Sequence, residues 1–182
     1  MINPAEEIVN IWLQEHHKLF TISNLVVPRR SRLNIRGRRI GGGRGKEIDF
    51  FATDGNGKYY WVEASVSPNP RLPGGADKSR KVLLGNAIKK FDKENEGWLR
   101  NRFKIKTIEK WFVYSPKLFA FFRNGSTEEK LYRDQLRRRN IKAISFAVVL
   151  EDVYNELNYY GYDFPRQYIF LLKKMGYRKG VA

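Results

Sequence analysis

The sequence has 182 residues, of which 42% are hydrophobic and 14% aromatic, so it can bury the core of one domain and is not a disordered chain. It contains no cysteine, which excludes disulfides and thiolate zinc sites. Its two histidines, His16 and His17, are adjacent, so a histidine metal site or a Ser-His-Asp triad is not expected. Any catalysis should therefore depend on carboxylates, Lys, Tyr or Ser.

The charge balance is strongly basic. Lys and Arg number 35 against 19 Asp and Glu, which gives a net charge of +16 and favours a polyanionic partner, most often nucleic acid. A ribosome-like or thermophilic surface is the alternative, although thermophilic surfaces usually balance Lys with Glu. There is no apolar run of membrane-spanning length and no signal-peptide pattern, so we expect a cytoplasmic protein without a membrane partner. Composition alone indicates a thermophilic source.

The chain begins with a predicted helix. Asn3 is a suitable N-cap, Pro4 a suitable first helical residue, and the apolar spacing continues to about His17. A strand is predicted over residues 20–27, ended by Pro28.

Residues 29–46 form a basic, glycine-rich segment with seven Arg, one Lys and no acidic residue. Arginine forks suit phosphate oxygens and glycine permits close backbone approach, so the segment is interpreted as a phosphate-binding loop. A solvated basic loop is the alternative. No Gly-Lys-Ser/Thr ending follows, which excludes the phosphate loop of nucleotide triphosphatases. The candidate phosphate-binding residues here are Arg36, Arg38, Arg39, Arg44 and Lys46.

The segment of residues 47–67 is predicted to be a β-hairpin, because the turn residues Asp-Gly-Asn-Gly at 54–57 separate two strand-like runs. Side-chain alternation places Trp61 and Glu63 on one face of the second strand and Val62 on the other. Normal pairing brings Asp49 of the first strand close to Glu63. Two adjacent carboxylates repel unless a positive charge lies between them, and a divalent cation with oxygen ligands is the usual solution. Simple surface carboxylates paired with Arg are the alternative.

The remaining chain is predicted to alternate helices and strands. A proline- and glycine-rich loop follows residue 67, and Asp77 caps a helix that runs through residue 94. The later elements are a strand at 108–114, a short helix at 116–122, a helix from 126 or 127 to 139, a strand at 141–150, a helix from 151 to about 160, and a last helix from 165 to about 176. This order predicts one α/β domain over residues 1–182, with a mixed central sheet flanked by helices, a core at 4–150 and a helical C-terminal extension at 151–176.

Further basic residues lie after the hairpin. Lys78 and Lys81 belong to the next predicted helix and are expected to contact nucleic acid. Arg137, Arg138 and Arg139 fall in the last turn of a later helix. Their positive charges suit the helix dipole, and they also suit nucleic-acid contact. The sequence leaves both roles open.

These motifs together resemble the core of the PD-(D/E)XK nuclease superfamily, the restriction-endonuclease-like folds that include archaeal Holliday-junction resolvases. The matching positions are Asp49 in Glu-Ile-Asp-Phe and Glu63 in Val-Glu-Ala-Ser, within residues 4–149. Glu7 matches the acidic residue that the first helix often supplies. The resemblance implies that Asp49, Glu63 and the backbone carbonyl of Ala64 hold Mg²⁺ or Mn²⁺, with Glu7 as a further ligand.

The chain departs from this pattern at Ser65, where the family usually has a Lys that orients the attacking water and stabilises developing charge. Serine cannot supply that charge. Three explanations of this departure remain open: a lysine from elsewhere in the chain reaches the site, the metal alone lowers the pKa of the attacking water, or catalysis has been lost. The candidate lysines, chosen by proximity in sequence, are Lys46, Lys58, Lys78 and Lys81.

The sequence therefore predicts a metal-dependent nuclease that hydrolyses DNA phosphodiester bonds. A catalytically inactive nucleic-acid-binding protein on the same fold is the alternative. A third interpretation is an RNA-binding protein in which Tyr59 and Trp61 stack on bases. DNA is favoured over RNA as the partner, and the resemblance allows a homodimer because many relatives of this fold dimerise.

Overall fold

The computed structural model describes residues 4–28, 32–33, 39–40, 46–65, 85, 88–114, 127–156, 165–167 and 169. The helices are α1 Pro4–Glu15, α2 Lys93–Phe103, α3 Thr127–Arg138 and α4 Phe146–Glu156. The strands are β1 Phe20–Val27, β2 Arg32–Leu33, β3 Arg39–Ile40, β4 Lys46–Thr53, β5 Tyr59–Ser65, β6 Glu109–Tyr114 and β7 Ile141–Ser145. Residues 85, 88–90, 165–167 and 169 are also helical.

The central sheet has five strands in the order β1-β4-β5-β6-β7. The pairs β1–β4 and β4–β5 are antiparallel, whereas β5–β6 and β6–β7 are parallel. Parallel neighbours require crossover connections, and helical residues lie in both of these. β2 and β3 form a separate two-stranded sheet. The predicted α/β class with a mixed central sheet is confirmed.

Two apolar clusters cover the two faces of this sheet. In the first cluster, α1 and α4 pack on one face, and the buried residues include Val9, Leu13, Phe50, Val62, Val113, Val149 and Val153. In the second cluster, α2, α3 and the helical residues 88–90 pack on the other face, and the buried residues include Ile48, Trp61, Ile88, Phe91, Leu99, Phe112 and Leu136. Both faces of β5 and β6 are therefore buried, and a polar side chain on these strands needs a partner inside the protein.

The sheet is irregular at Asn24 and Asp49, which stand opposite each other in β1 and β4. Pairing continues on both sides of these two residues but skips them, and Asn24 has a positive φ of 54°. Ile48 packs in the second cluster and Phe50 in the first, although residues two apart on a regular strand share a face. The alternation of β4 thus shifts at Asp49, so Ile48 and Phe50 do not share the face that strict alternation along the sequence predicts for them.

The helix predicted to continue from residue 77 past residue 90 is interrupted. Phe91 and Asp92 are not helical, and α2 starts afresh at Lys93. The cause is local, because the Asp92 carboxylate accepts a hydrogen bond from the Asn95 backbone N–H at 2.7 Å and so acts as an N-cap.

The strand predicted at 141–150 ends at Ser145, and α4 begins at Phe146. The Ser145 hydroxyl accepts a hydrogen bond from the Ala147 backbone N–H at 3.3 Å, which favours a helix start there. Val149 and Val153 are buried in the first cluster at helical spacing, whereas Val148 is exposed. α4 consequently packs in the first cluster and spans residue 150, the predicted boundary between core and extension.

Other predicted elements are confirmed or lie outside the described part of the chain. α1, β1, β6 and α3 are confirmed within three residues at each end. The predicted helix at 116–122 and the loop after residue 67 lie outside the described residues. Within the described part of the chain, no helix is both long and apolar enough to cross a membrane.

Candidate carboxylate and lysine site

Asp49 and Glu63 lie where β4 and β5 separate. The regular pairing of these strands ends at Phe50 and Val62, and the next residues along each strand are Asp49 and Glu63. The Asp49 Oδ2 accepts a hydrogen bond from the Ala64 backbone N–H at 2.8 Å, so the carboxylate takes the place of the missing strand pairing. The predicted approach of the two carboxylates is confirmed.

A lysine joins the two carboxylates. The Lys90 Nζ lies 3.0 Å from the Asp49 Oδ1 and 2.5 Å from the Glu63 Oε2. The three residues are called the carboxylate-lysine site below. The Glu63 side chain is 2% exposed and the Lys90 side chain 41% exposed, so the site is closed at Glu63 and open to solvent on the Lys90 side.

The turn between the helical residues 88–90 and α2 holds Lys90 in place. Ile88 and Phe91 are buried in the second cluster and fix this turn against the sheet. The Lys90 backbone carbonyl accepts hydrogen bonds from the Asp92 backbone N–H at 2.8 Å and from the Asn95 Nδ2 at 3.0 Å. Asn95 is a buried polar residue, and the capping of α2 therefore also positions Lys90.

The Glu63 carboxyl group has a second hydrogen-bond partner, on its own strand. Its Oε1 accepts a hydrogen bond from the Trp61 indole N–H at 2.7 Å. Burial, followed by the nearby charge of Asp49, raises the pKa of Glu63 to about 8, although Lys90 and Trp61 both act to lower it. Burial also acts to lower the pKa of Lys90, but the charges of Glu63 and Asp49 together raise it above its ordinary value. Near neutral pH, Lys90 is thus a cation, and the raised pKa of Glu63 favours its protonated form.

The donor set fits a hard divalent cation. Mg²⁺ usually binds one or two carboxylates and completes its shell with water and substrate phosphate oxygens. Asp49 and Glu63 supply two such carboxylates on neighbouring strands. Among the residues that the structure describes, no group of three or more acidic or histidine side chains is arranged to hold a metal ion. A cation here would bind two carboxylates, and Lys90 would have to move from between them.

Glu7 and Ser65 are the other predicted catalytic positions. Glu7, on α1, lines a cavity of about 140 Å³. Asn24, which stands opposite Asp49 on β1, and Phe50, which follows Asp49 on β4, line the same cavity. Its role as a further ligand remains a prediction. Ser65 ends β5, two residues after Glu63, and pairs with Tyr114 of β6.

Of the predicted phosphate-binding residues, Lys46 is the one whose side chain is described. Its Nζ forms an ion pair with the Asp92 carboxylate, so it links β4 to the cap of α2. Arg36, Arg38, Arg44, Lys78 and Lys81 lie outside the described residues, as does the side chain of Arg39.

Lys90 was not among the lysines chosen by proximity in sequence. Lys58 follows the hairpin turn, and its backbone N–H donates to the Asp54 carboxylate, at the far end of the hairpin from Glu63. The sequence holds no clear signal for Lys90, because Lys89 falls between the same two core residues, Ile88 and Phe91, and is exposed.

Comparisons with known proteins do not extend this description. No protein-family model matches the sequence, and no curated protein matches it. The chain is similar to one crystal structure, that of AF1548, a protein of unknown function. The identity is 18%, the match covers 96% of this chain and 67% of that chain, and the TM-score is 0.39, which is too low to carry an argument.

Proposed function

We propose that the protein is a metal-dependent nuclease that hydrolyses DNA phosphodiester bonds on a restriction-endonuclease-like fold. The observation that carries this proposal is the convergence of Asp49, Glu63 and Lys90 where β4 and β5 separate. Ser65 replaces the lysine expected in the motif, and Lys90 brings an ammonium group to the same two carboxylates from another element. The first of the three explanations for Ser65 therefore has specific support.

The parts of the site have separate roles in this proposal. Mg²⁺ or Mn²⁺, when held by Asp49 and Glu63, supplies the positive charge that polarises the scissile phosphate and acidifies a water molecule. With the cation bound between the carboxylates, the displaced Lys90 ammonium would donate hydrogen bonds to the negative charge that develops on the phosphate oxygens. The net charge of +16 attracts the polyanionic substrate.

One specific observation favours the alternative of a nucleic-acid-binding protein without catalysis. Lys90 already neutralises charge between Asp49 and Glu63, and a buried ion cluster of this kind also occurs as a structural feature. In that case the cluster holds the helical turn of Lys90 against the sheet, and nucleic-acid binding needs no metal.

Cleavage assays separate the two functions. Labelled duplex, single-stranded and branched DNA are incubated with Mg²⁺, Mn²⁺ or EDTA and with wild type, Asp49→Ala and Glu63→Gln. The nuclease proposal expects metal-dependent cleavage that both variants lose, while the DNA affinity of Asp49→Ala is kept or raised because a negative charge is removed. Full cleavage by Asp49→Ala would refute the assignment of the site. Binding without cleavage by every protein, wild type included, would establish the alternative.

A further inference from the structure

The helices on the two faces of the sheet differ in charge. α1 and α4 cover one face, and each contains three acidic residues and no Lys or Arg. The other side, covered by α2, α3 and residues 88–90, is called the α2/α3 face below. α2 has three basic and two acidic residues, and α3 has four basic and three acidic residues. In a chain with a net charge of +16, the α2/α3 face is therefore the side that attracts a polyanion.

The carboxylate-lysine site is open toward the same side. Lys90 reaches Asp49 and Glu63 from the helical residues 88–90, which pack on the α2/α3 face. Its side chain is the exposed part of the site, whereas Glu63 is buried within the sheet. A substrate that comes to the site from the Lys90 side thus crosses the α2/α3 face.

The end of α3 lies beside the turn that carries Lys90. Arg139 directly follows α3, and its Nη1 donates a hydrogen bond to the Ile88 backbone carbonyl at 3.1 Å. Ile88 precedes Lys90 by two residues, so this contact ties the arginine run of α3 to the site. Arg137 and Arg138 are exposed. Arg137 forms an ion pair with Asp134, but its side chain is 83% exposed, and such an exposed pair is weak.

The strand register gives the separation between this arginine run and the site. Ile141 begins β7 after a two-residue turn that follows α3, and it stands in one row with Lys110 and Trp61. Glu63 lies two residues beyond Trp61 on β5. Two strand spacings across the sheet and two residues along it amount to roughly 12 Å. Because one strand of a duplex advances about 3.4 Å per nucleotide, this separation corresponds to roughly three or four nucleotides.

We propose that duplex DNA lies along the α2/α3 face, and that Arg137 and Arg138 hold its backbone phosphates a few nucleotides from the phosphate at the carboxylate-lysine site. Successive residues of a helix point about 100° apart, so the two arginines contact separate phosphates. Arg139 is a positioning residue, because its bond to Ile88 sets the end of α3 against the Lys90 turn. This inference rests on the proposed function and adds the face and the residues that bind the substrate outside the site.

Two lysines beside the α1/α4 side provide a matched control. Lys18 follows α1, and the Lys142 Nζ lies 5.1 Å from the centroid of the Trp111 ring, in the first cluster. Both lysines are exposed, and replacing them removes the same charge as replacing Arg137 and Arg138. General attraction to a basic protein predicts equal effects of the two double variants. Binding on the α2/α3 face predicts an effect of the arginine variant alone, whereas a role limited to the dipole of α3 predicts none.

The experiment measures binding of the full chain to a labelled DNA duplex by fluorescence anisotropy over a series of KCl concentrations. EDTA is present, so the metal is withheld and the duplex stays intact. The combined Arg137→Gln and Arg138→Gln variant should bind about tenfold more weakly or worse, because hydrogen bonds to charged groups are lost. The slope of log K against log salt should fall by about two, since each lost phosphate contact removes about 0.9. The combined Lys18→Gln and Lys142→Gln variant should change affinity and slope little. If the arginine double variant is less stable than wild type, Arg138→Gln alone provides the test, with an expected slope change of about one.

The outcomes separate this inference from the nuclease proposal. Equal losses in the two double variants, or no loss in either, would overturn the inference, while metal-dependent cleavage by wild type would leave the nuclease proposal standing. A loss confined to the arginine variant supports the α2/α3 face as the DNA-binding surface. If wild type then binds DNA but never cleaves it, the nuclease proposal fails and this surface belongs to a binding protein. Absence of DNA binding by wild type would overturn both.

Discussion

The Lys90 ammonium lies 2.5 Å from the Glu63 Oε2, although the two residues are 27 positions apart in the chain. This contact joins a helical turn on one face of the sheet to a buried carboxylate in its centre. It also places the positive charge between two carboxylates that would otherwise repel each other.

Lys90 is expected to be essential for cleavage but not for DNA binding. Lys90→Met keeps the length of the side chain and removes the ammonium that the proposed mechanism assigns to the phosphate oxygens. Removal of a single donor of this type costs about a hundredfold or more in rate. Single-turnover cleavage should fall by that amount, and DNA affinity measured by anisotropy should change little. Lys89→Met is the control, because Lys89 is exposed and adjacent in sequence. Equal rates for the two variants would show that Lys90 has no part in the chemistry.

The stability of the protein should fall as the pH rises from about 6.5 to about 8. The pKa of Glu63 is raised from its ordinary value of 4.5 to about 8, so over this range the folded protein binds a proton that the unfolded chain has released. Raising the pH then favours unfolding, with a limiting slope of about 1.4 kcal/mol per pH unit. Below pH 6.5, His17 opposes this trend, because burial lowers its pKa from 6.5 to about 4.

Urea unfolding at several pH values tests this slope. Glu63→Gln, which resembles the protonated carboxyl group, should flatten the curve between pH 6.5 and 8. Glu47→Gln is the control, since Glu47 is an exposed carboxylate on the same sheet. A wild-type slope that Glu63→Gln leaves intact would mean that another group carries the proton.

Metal binding should release a proton and should tighten with pH. Because Glu63 retains a proton up to about pH 8, a cation that binds its carboxylate must displace that proton. Calorimetry with Mn²⁺ in buffers of different ionisation enthalpy should show proton release near pH 7 and little near pH 9. Lys90→Met should bind Mn²⁺ more tightly than wild type, because a competing cation has been removed from between Asp49 and Glu63. Binding that is independent of pH in wild type would place the metal away from Glu63.

The hairpin and the meeting of its carboxylates could be predicted from the sequence because both depend on local rules. Turn residues and alternation over a few positions are sufficient to place Asp49 and Glu63 on adjacent strands. The shift of alternation at Asp49 could not be predicted in this way. It depends on the pairing of β4 with β1, where Asn24 adopts a positive φ, and nothing near Asp49 in the sequence encodes that contact.

The position of Lys90 beside the two carboxylates could not be predicted for a similar reason. Distance along the chain is a poor guide in a parallel sheet, because each crossover returns the chain over strands that precede it. The interruption of the helix at Asp92 could not be predicted either, because lysines and apolar residues continue through this position at helical spacing. The prediction of a strand beyond Ser145 was wrong because a short apolar run fits a buried strand and a buried helix equally well.

Asn95 is expected to act as a positioning residue for Lys90. Its buried Nδ2 donates to the Lys90 carbonyl at 3.0 Å, and its backbone N–H donates to the Asp92 carboxylate at 2.7 Å. Asn95→Ala keeps the second contact and loses the first, which frees the turn that carries Lys90. Stability should fall by about 1–3 kcal/mol, because a buried carbonyl loses a partner. We expect kcat for DNA cleavage to fall about tenfold, since misplacement of a catalytic group is costly, while KM stays unchanged.

Leu99→Ala separates this effect from plain loss of stability. Leu99 is fully buried one turn farther along α2, and its truncation should cost about 2–5 kcal/mol without touching Lys90. Both variants are assayed at a temperature at which circular dichroism shows them folded. Retained kcat in Leu99→Ala together with reduced kcat in Asn95→Ala indicates positioning, because the less stable variant is then the more active one. Parallel losses of kcat in the two variants would assign Asn95 a structural role alone.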